Sequence, residues 1–540
     1  MAENVEPLSS RRGPILVVGA GPTGLVLSIE LLRRGVPVRL IDRLDHPRGW
    51  SQAIFIKQRT LEILASLGLI TRFAVAGEWV RRVAFYSNGR RVSGYDFEHV
   101  DSPYQNILSI PESVSIAILT GELRRLGGDI EYGTEFVRLS EEDGHVAVRL
   151  RTSDGRETTI DVPWVVGTDG YHSAVRDAIG DAFDGRDYEE FWGVFDTRLT
   201  NWQHPRDTAC AQLDPPLVVP FPLAPDGWRI YFRTEGPSEL VPDEVVAKLR
   251  SISPGAVLRD PGRPQYFHSH SRIARSFQIG RVLLAGDAAH ASNPMEGHGM
   301  NAGIHDAHNL GWKLAAVAAG KGTDALLRSY AEERQSVDRE IVASGDKAYG
   351  WMTDKSGEKL AELYAFLDTA SGRALAAMGD TEIGLRYAQS AIIRDARTAP
   401  AAPPLAGTRI ENIDGLLGPR GFTSLHALVA NPGHTILLIA GDADPVHLSR
   451  MEGEIGCVAE PYDCRLLLVA GEHLRADAIH SAEIVIDKDA LCRKLFGGDK
   501  PMLCVVRPDG HIGLLCEPPQ AAVLQSHLRS MFGDRHDRRG

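Results

Sequence analysis

Three glycine-and-acid clusters in this chain have residue types suited to holding a phosphate-bearing ligand. The first is Gly19-Ala20-Gly21-Pro22-Thr23-Gly24, entered by the apolar run Ile15 to Val18 and left by helical apolar spacing from Leu25 to Arg34. Strand, tight turn and helix in that order set backbone N–H groups and a positive helix end against a pyrophosphate. A second apolar run, Val36 to Ile41, ends on Asp42, with Arg43 after it. An acid at that place accepts hydrogen bonds from ribose hydroxyls. The second cluster is Gly167-Thr168-Asp169-Gly170, followed by Ser173 and Arg176. The third is Gly286-Asp287, which continues through Pro294 to Gly299-Met300-Asn301. Each alone would also serve as a structural turn. Strand, helix and distal acid together favour dinucleotide binding at the first.

The elements that must position these clusters read as an α/β chain. Residues 1–78, 106–185 and 271–330 are assigned to a doubly wound nucleotide-binding domain. Residues 79–105 and 186–270 show short alternating stretches, such as Trp228 to Phe232, and are assigned to an inserted antiparallel sheet. Helical spacing covers 331–397, an Ala/Pro-rich linker 398–407, and a separate α/β module 408–540.

The 540 residues carry a formal charge of −12 and 43 % hydrophobic residues, which describes a folded chain with core to spare. An acidic balance argues against nucleic-acid binding, which needs clustered Lys and Arg. The basic tail Arg535 to Arg539 is short, mixed in sign and read as a solvated end. No apolar run approaches the ~18 residues of a membrane span. Residues Met1 to Pro14 lack the apolar core of a secretory signal, so a cytoplasmic location is expected. The six cysteines form no CxxC pair and no metal-ligand spacing, so neither a metal site nor a redox dithiol is expected.

The sequence resembles the single-component flavoprotein aromatic hydroxylases, the family built like p-hydroxybenzoate and phenol hydroxylase. The resemblance runs through Ser51-Gln52-Ala53, Arg59 to Glu62, the three glycine clusters, Asn309 to Leu314, Ser329-Tyr330 and Glu333-Arg334. It implies a GR2-type Rossmann-like FAD-binding domain, an inserted substrate domain, and a C-terminal domain similar to the thioredoxin-like one of pentachlorophenol and polyketide hydroxylases. That last domain would be structural or oligomeric, and a homodimer is allowed. FAD would lie on Gly19, Gly21, Pro22, Thr23, Gly24, Asp42 and Arg43, with Asp169 near the pyrophosphate and Asp287 on the ribityl chain. Pro294, Gly299, Met300 and Asn301 would face the isoalloxazine ring. The implied reaction uses NADPH or NADH and O2 to hydroxylate a phenolic or polycyclic aromatic compound through a flavin C4a-hydroperoxide.

Three positions depart from the family pattern. Gln52 stands where Lys or Arg is usual, Glu112 where Gln is usual, and Glu296-Gly297-His298-Gly299 where Gly-Gly-Gln-Gly is usual. Gln52 and Glu112 are still expected at the cofactor, with Arg48 as a substitute phosphate contact; Glu296 and His298 beside the flavin would either tune peroxide protonation or point to solvent, the second reading being favoured. The residues themselves offer His268, His270, Tyr231 and Arg229 as phenol base or substrate contacts. Trp192, Phe221, Trp228 and Phe232 are candidates for the pocket wall, although the same residues also read as ordinary strand and core positions. Baeyer–Villiger oxidation, epoxidation and oxidative decarboxylation remain open on the same fold, as does a ligand sensor that binds FAD without turnover.

Overall fold

The computed structural model describes residues 13–49, 53–98, 100–353, 358–398, 403–472, 474 and 479–534. Gln52, most of the leader segment 1–14, the middle of the linker and the basic tail lie outside them.

The chain opens on β1 (Ile15–Val18), α1 (Pro22–Leu32) and β2 (Val38–Ile41), and continues through α2 (Glu112–Arg125) to β3 (Val165–Gly167). All four residues of β1 are buried, as an apolar run covered on both faces requires. It pairs in parallel with β2 on one side and β3 on the other. The inserted part comprises β4 (Phe183–Thr200), β5 (Val218–Leu223), β6 (Gly227–Thr234), α3 (Asp243–Ile252) and β7 (Gln265–Ala274). The chain then returns as β8 (Val282–Leu284), which pairs in parallel with β3. A six-stranded sheet results, ordered Gln278–Ile279, β8, β3, β1, β2, Ile130–Glu131. Strands depart to either side of the β1–β3 pair, and ligands bind in such sheets outside the carboxyl ends at that switch point.

The inserted sheet is ordered His290–Ala291, β7, β4, β6, β5, Thr208–Gln212, Arg82–Ser87, Arg90–Asp96, with Val257–Arg259 beside β4. Its one face packs on α3, through Trp228, Ile230, Phe232, Val245 and Leu249. Its other face lies under three helices that follow α4 (Gly299–Ala318), itself packed on α1: α5 (Asp324–Thr353), α6 (Glu358–Asp368) and α7 (Ala370–Thr381) supply Tyr349, Leu363, Leu367 and Ala377 to the cover.

The C-terminal module is built on β9 (Thr435–Ile439), β10 (Arg465–Ala470), β11 (Met502–Val506), β12 (Ile512–Glu517) and α8 (Ala521–Phe532). Its eight-stranded sheet also takes in Arg394–Arg397, which pairs in parallel with β12. That strand lies inside the stretch read above as helical. Arg-Asp-Ala-Arg has no apolar alternation, and the unpaired edge of β12 recruits it through backbone hydrogen bonds.

Module and nucleotide domain meet at a buried ionic knot. Arg507 donates to both oxygens of Glu333, at 2.7 and 2.9 Å, and Lys313 Nζ donates to Glu333 Oε2 at 2.7 Å. Asp509 accepts from Arg507 and, at 3.1 Å, from Trp312 Nε1 of α4. Two cations face two carboxylates, so the knot is neutral.

Candidate active site

A cleft of about 560 Å³ opens where β1, β3 and β8 end, and all three glycine clusters line it. Parallel pairing of adjacent strands brings them together: Gly19 N donates to Ile41 O at 2.8 Å, and Ala285 N to Gly167 O at 3.0 Å. Gly19 has φ +105°, and a Cβ there would stand 2.4 Å from the Thr168 carbonyl. A Cβ on Gly24 would stand 2.0 Å from Gly19 O, so α1 starts directly on the turn. Gly21, by contrast, borders open cleft, with no atom beyond its own chain neighbours within 4 Å of its would-be Cβ. It caps α1 without a side-chain bond, and the first turn of α1 holds no acid. The N–H groups and positive end of that helix therefore face the cleft.

Asp42 accepts Ala20 N at 2.8 Å and Leu44 N at 2.9 Å, one on each oxygen. A carboxylate has about four acceptor sites, which leaves capacity for ribose hydroxyls. Pro22, Thr23, Arg43, Arg48 and Glu112 line the same walls. An FAD fits this cradle: open space at Gly21, an uncapped helix end and an acceptor at Asp42 match its ADP half.

Asp169 accepts from Ser173 Oγ at 2.6 Å and Val175 N at 3.2 Å, fixing its loop on the cleft wall. Burial holds its carboxyl above the usual range. Asp287 faces the cleft and makes no hydrogen bond to another described residue. Enclosure by protein raises its pKa as well. A brace behind it escaped the sequence reading. His290 donates through Nε2 to Asp306 at 2.7 Å, Gly286 N donates to Asp306 at 2.9 Å, and Arg334 joins Asp306 to Asp338 at 2.6 Å each. Three potential metal ligands meet here, but the Arg334 guanidinium and the His290 imidazolium together match the two carboxylates. Burial disfavours the charged imidazole, yet the two aspartates lift the His290 pKa to about 9. Because the Asp287 side chain has no hydrogen-bond partner among the described residues, Asp287→Ala is expected to fold normally and to weaken FAD binding about tenfold, measured by equilibrium dialysis.

At the far end of the cleft, the turn Pro294–Glu296 leads through Gly297 to α4, and Pro294, Gly299 and Met300 line the wall. Asn301 is fully buried behind it. Its Oδ1 accepts Lys57 N at 3.0 Å, and its Nδ2 donates to Phe55 O and Gly297 O at 3.0 and 2.9 Å. Its amide thus braces the wall. His298 does not point to solvent as expected. It is 4 % exposed and held by Lys57, Glu296 and Glu382. Lys57 and Glu382 come from remote segments, and neither carries a local motif that would have announced them.

Strand register divides the substrate candidates between two faces. Tyr231 pairs with Val194, and Phe221 with Arg229, all on the face toward the cleft and helices. Phe55, Phe221 and Tyr231 form an aromatic corner, with ring centroids 4.2 Å apart for Phe55–Phe221 and 6.3 Å for the other two pairs. Arg229 grips Asp196 with both a 2.7 Å and a 2.8 Å bond. Burial holds the Tyr231 phenol well above its ordinary pKa, against the pull of Arg229. Trp192 shares this face but is packed under α5 and α6 with Tyr349 and Leu363. Trp228 and Phe232 do not belong to the pocket wall: alternation along β6 turns them onto α3. His268 is exposed, its ring 4.1 Å from that of Phe191. His270 stacks on Tyr171 at 3.9 Å and bonds Asp187 at 2.8 Å. Both histidines line the cleft on the Asp169 loop side, apart from the aromatic corner.

Comparison with known proteins follows from this geometry. Residues 12–344 match the family model described as "FAD binding domain". Pentachlorophenol 4-monooxygenase of Sphingobium chlorophenolicum is 30 % identical over 80 % of this chain and 81 % of its own length. The 6-methylpretetramide 4-monooxygenase of Streptomyces rimosus is 35 % identical over 62 % of this chain, a match that spans only 61 % of that enzyme. Among solved structures, the anhydrotetracycline hydroxylase OxyS of Streptomyces rimosus superposes with a TM-score of 0.75 at 27 % identity, covering 96 % of this chain and 99 % of that one. No described helix is long and apolar enough to cross a membrane.

Proposed function

Because this chain belongs to the FAD-binding-domain family of flavin-dependent aromatic monooxygenases, we propose that it uses NADPH or NADH and O2 to hydroxylate a phenolic or polycyclic aromatic substrate. The observation that carries this reading is one continuous cleft, running from the Gly19–Gly24 turn to Tyr231 and Phe55. When bound, FAD supplies the redox chemistry, accepting electrons from the nicotinamide and activating O2 for transfer of one oxygen atom.

The chain's own tasks are binding, water exclusion and proton handling. The α1 end and Asp42 hold the ADP half, and Asp287 offers an acceptor to the linking chain. The positive end of α4 favours negative charge on a ring beside Gly299 and Met300. The aromatic corner is backed by a buried apolar cluster of Val80, Phe97, Ile107, Ala209, Ala377 and Ile383, against which Phe55 and Phe221 pack, so the cleft end beside Tyr231 suits a flat apolar substrate. Tyr231 stays protonated at neutral pH and is oriented by Arg229. Its Oη–H would donate a hydrogen bond to a phenolic oxygen and favour the phenolate once the phenol's proton has left to solvent, which raises electron density on the ring carbon to be attacked. The C-terminal module reads as a thioredoxin-like scaffold, and burial holds the Cys492 and Cys504 thiols high and inert.

Tyr231→Phe is expected to keep FAD and to lose about 100-fold in phenol-stimulated turnover. Stopped-flow assays at saturating phenol check this, and wild-type rates would remove Tyr231 from the reaction. The function itself is tested by following NADPH and NADH consumption in the FAD-loaded protein, with and without a panel of phenols. Stimulation with stoichiometric product supports the hydroxylase, whereas a flavin that no nicotinamide reduces under any ligand supports a sensor.

A further inference from the structure

The wall beside Gly299 contains a charge arrangement that the proposed function does not use. His298 Nδ1 lies 2.5 Å from Glu382 Oε1 and 2.8 Å from Lys57 Nζ, while Nε2 lies 3.2 Å from Glu296 Oε2. Lys57 Nζ is also 3.5 Å from Glu382 Oε1. Glu382 is buried and adopts φ +57°, a left-handed conformation unfavourable for a residue with a Cβ. Strain of that kind persists where the surroundings hold the residue in place.

We propose that His298 is an imidazolium in the resting protein and acts as a positioning residue, its charge leaving the wall at the N-terminus of α4 neutral rather than net negative and so favouring the anionic form of a bound flavin ring. The inference rests on the FAD reading above. Both ring nitrogens face a carboxylate oxygen, and only a doubly protonated ring donates to both. The alternative lets Nδ1 accept from Lys57, but it sets a bare lone pair 2.5 Å from an anionic oxygen. Charge balance supports the first arrangement: Lys57 and His298 as cations match Glu296 and Glu382, and the four groups sum to zero.

Three further groups face these four. His305, on the next turn of α4, is pushed by burial down to about 3 and stays neutral, with Thr60 Oγ1 at 3.0 Å. Burial raises the Asp380 carboxyl, and Tyr95 hydrogen-bonds to it. Ser344 Oγ donates to Glu296 at 3.3 Å. Burial and Lys57 oppose the charge on His298, and the bonds to Glu296 and Glu382 outweigh them, leaving its pKa above the ordinary value. Burial alone would raise Glu382, but Lys57 and His298 bring it to about 2. The positive charge is lost as pH rises through the elevated His298 pKa.

Nitrogen-15 NMR of histidine-labelled wild-type protein at neutral pH reads the ring directly, with His298→Gln used for assignment. Two protonated ring nitrogens are expected and a singly protonated ring would overturn the proposal, His298→Lys serving for the assignment if His298→Gln fails to fold. In the FAD-loaded protein, the affinity ratio of reduced to oxidised flavin, read from the midpoint potential, is expected to fall at least tenfold in His298→Gln. His298→Lys is expected to recover most of that loss. A ratio within twofold of wild type in His298→Gln overturns this inference alone, whereas failure of the wild type to bind FAD overturns the proposed function with it.

Discussion

Gly21→Val is expected to yield a folded protein without flavin. Valine Cβ would project into open cleft, where nothing beyond its chain neighbours lies within 4 Å, so the fold loses nothing by it. A pyrophosphate on the α1 end must occupy that space, and the branched side chain adds bulk between ligand and backbone N–H groups. A loss of at least ~100-fold in FAD affinity is expected, about 2.7 kcal/mol. Equilibrium dialysis with FAD measures it, and circular dichroism verifies the fold. Gly24→Val makes the contrast: its Cβ would meet Gly19 O at 2.0 Å, so that change should disrupt the turn itself. A fully flavin-loaded Gly21→Val protein would refute the cradle.

Glu333→Ala is expected to cost about 3–5 kcal/mol, because it leaves two buried cations, Arg507 and Lys313, with too few anionic partners. Glu333 sits on α5, Lys313 on α4 and Arg507 in the C-terminal module, so the variant should loosen the module from the helices lining the cleft. Urea unfolding followed by tryptophan fluorescence reads the loss, with Trp312 adjacent to the knot. Burial would raise the Glu333 carboxyl, but Arg507 and Lys313 bring it down to about 2. A carboxyl depressed in the folded state stabilises above its ordinary pKa of 4.5, and that contribution disappears as pH falls toward 2. Acid should therefore weaken the wild type more than Glu333→Ala. Equal acid sensitivity would show that the knot does not hold the module.

What was legible in the sequence is what is local. Strand, turn, helix and acid lie within one short stretch from Ile15 to Asp42, and each of the other glycine clusters ends its own apolar run. Parallel pairing of β1, β3 and β8 then assembled them without any further signal. Which face of the inserted sheet meets the cleft was not legible, because alternation along β6 assigns Tyr231 and Trp228 to opposite sides without naming either. That choice is made by α3, whose Val245 and Leu249 cover Trp228 and Phe232. Arg394–Arg397 carries no strand pattern, since its pairing is a property of the β12 edge. The His298 site joins Lys57, 241 residues away along the chain, with Glu382, 84 residues away. Glu382 reaches it from a left-handed turn after α7 that no local pattern announces.

The most direct measurement is the mass of the product formed from a stimulating phenol by the FAD-loaded protein with NADPH under isotopically heavy O2. The account predicts a product carrying one heavy oxygen atom on the ring, formed in proportion to nicotinamide consumed. Oxygen drawn from water, or nicotinamide consumption that ends only in hydrogen peroxide across the phenol panel, would contradict it.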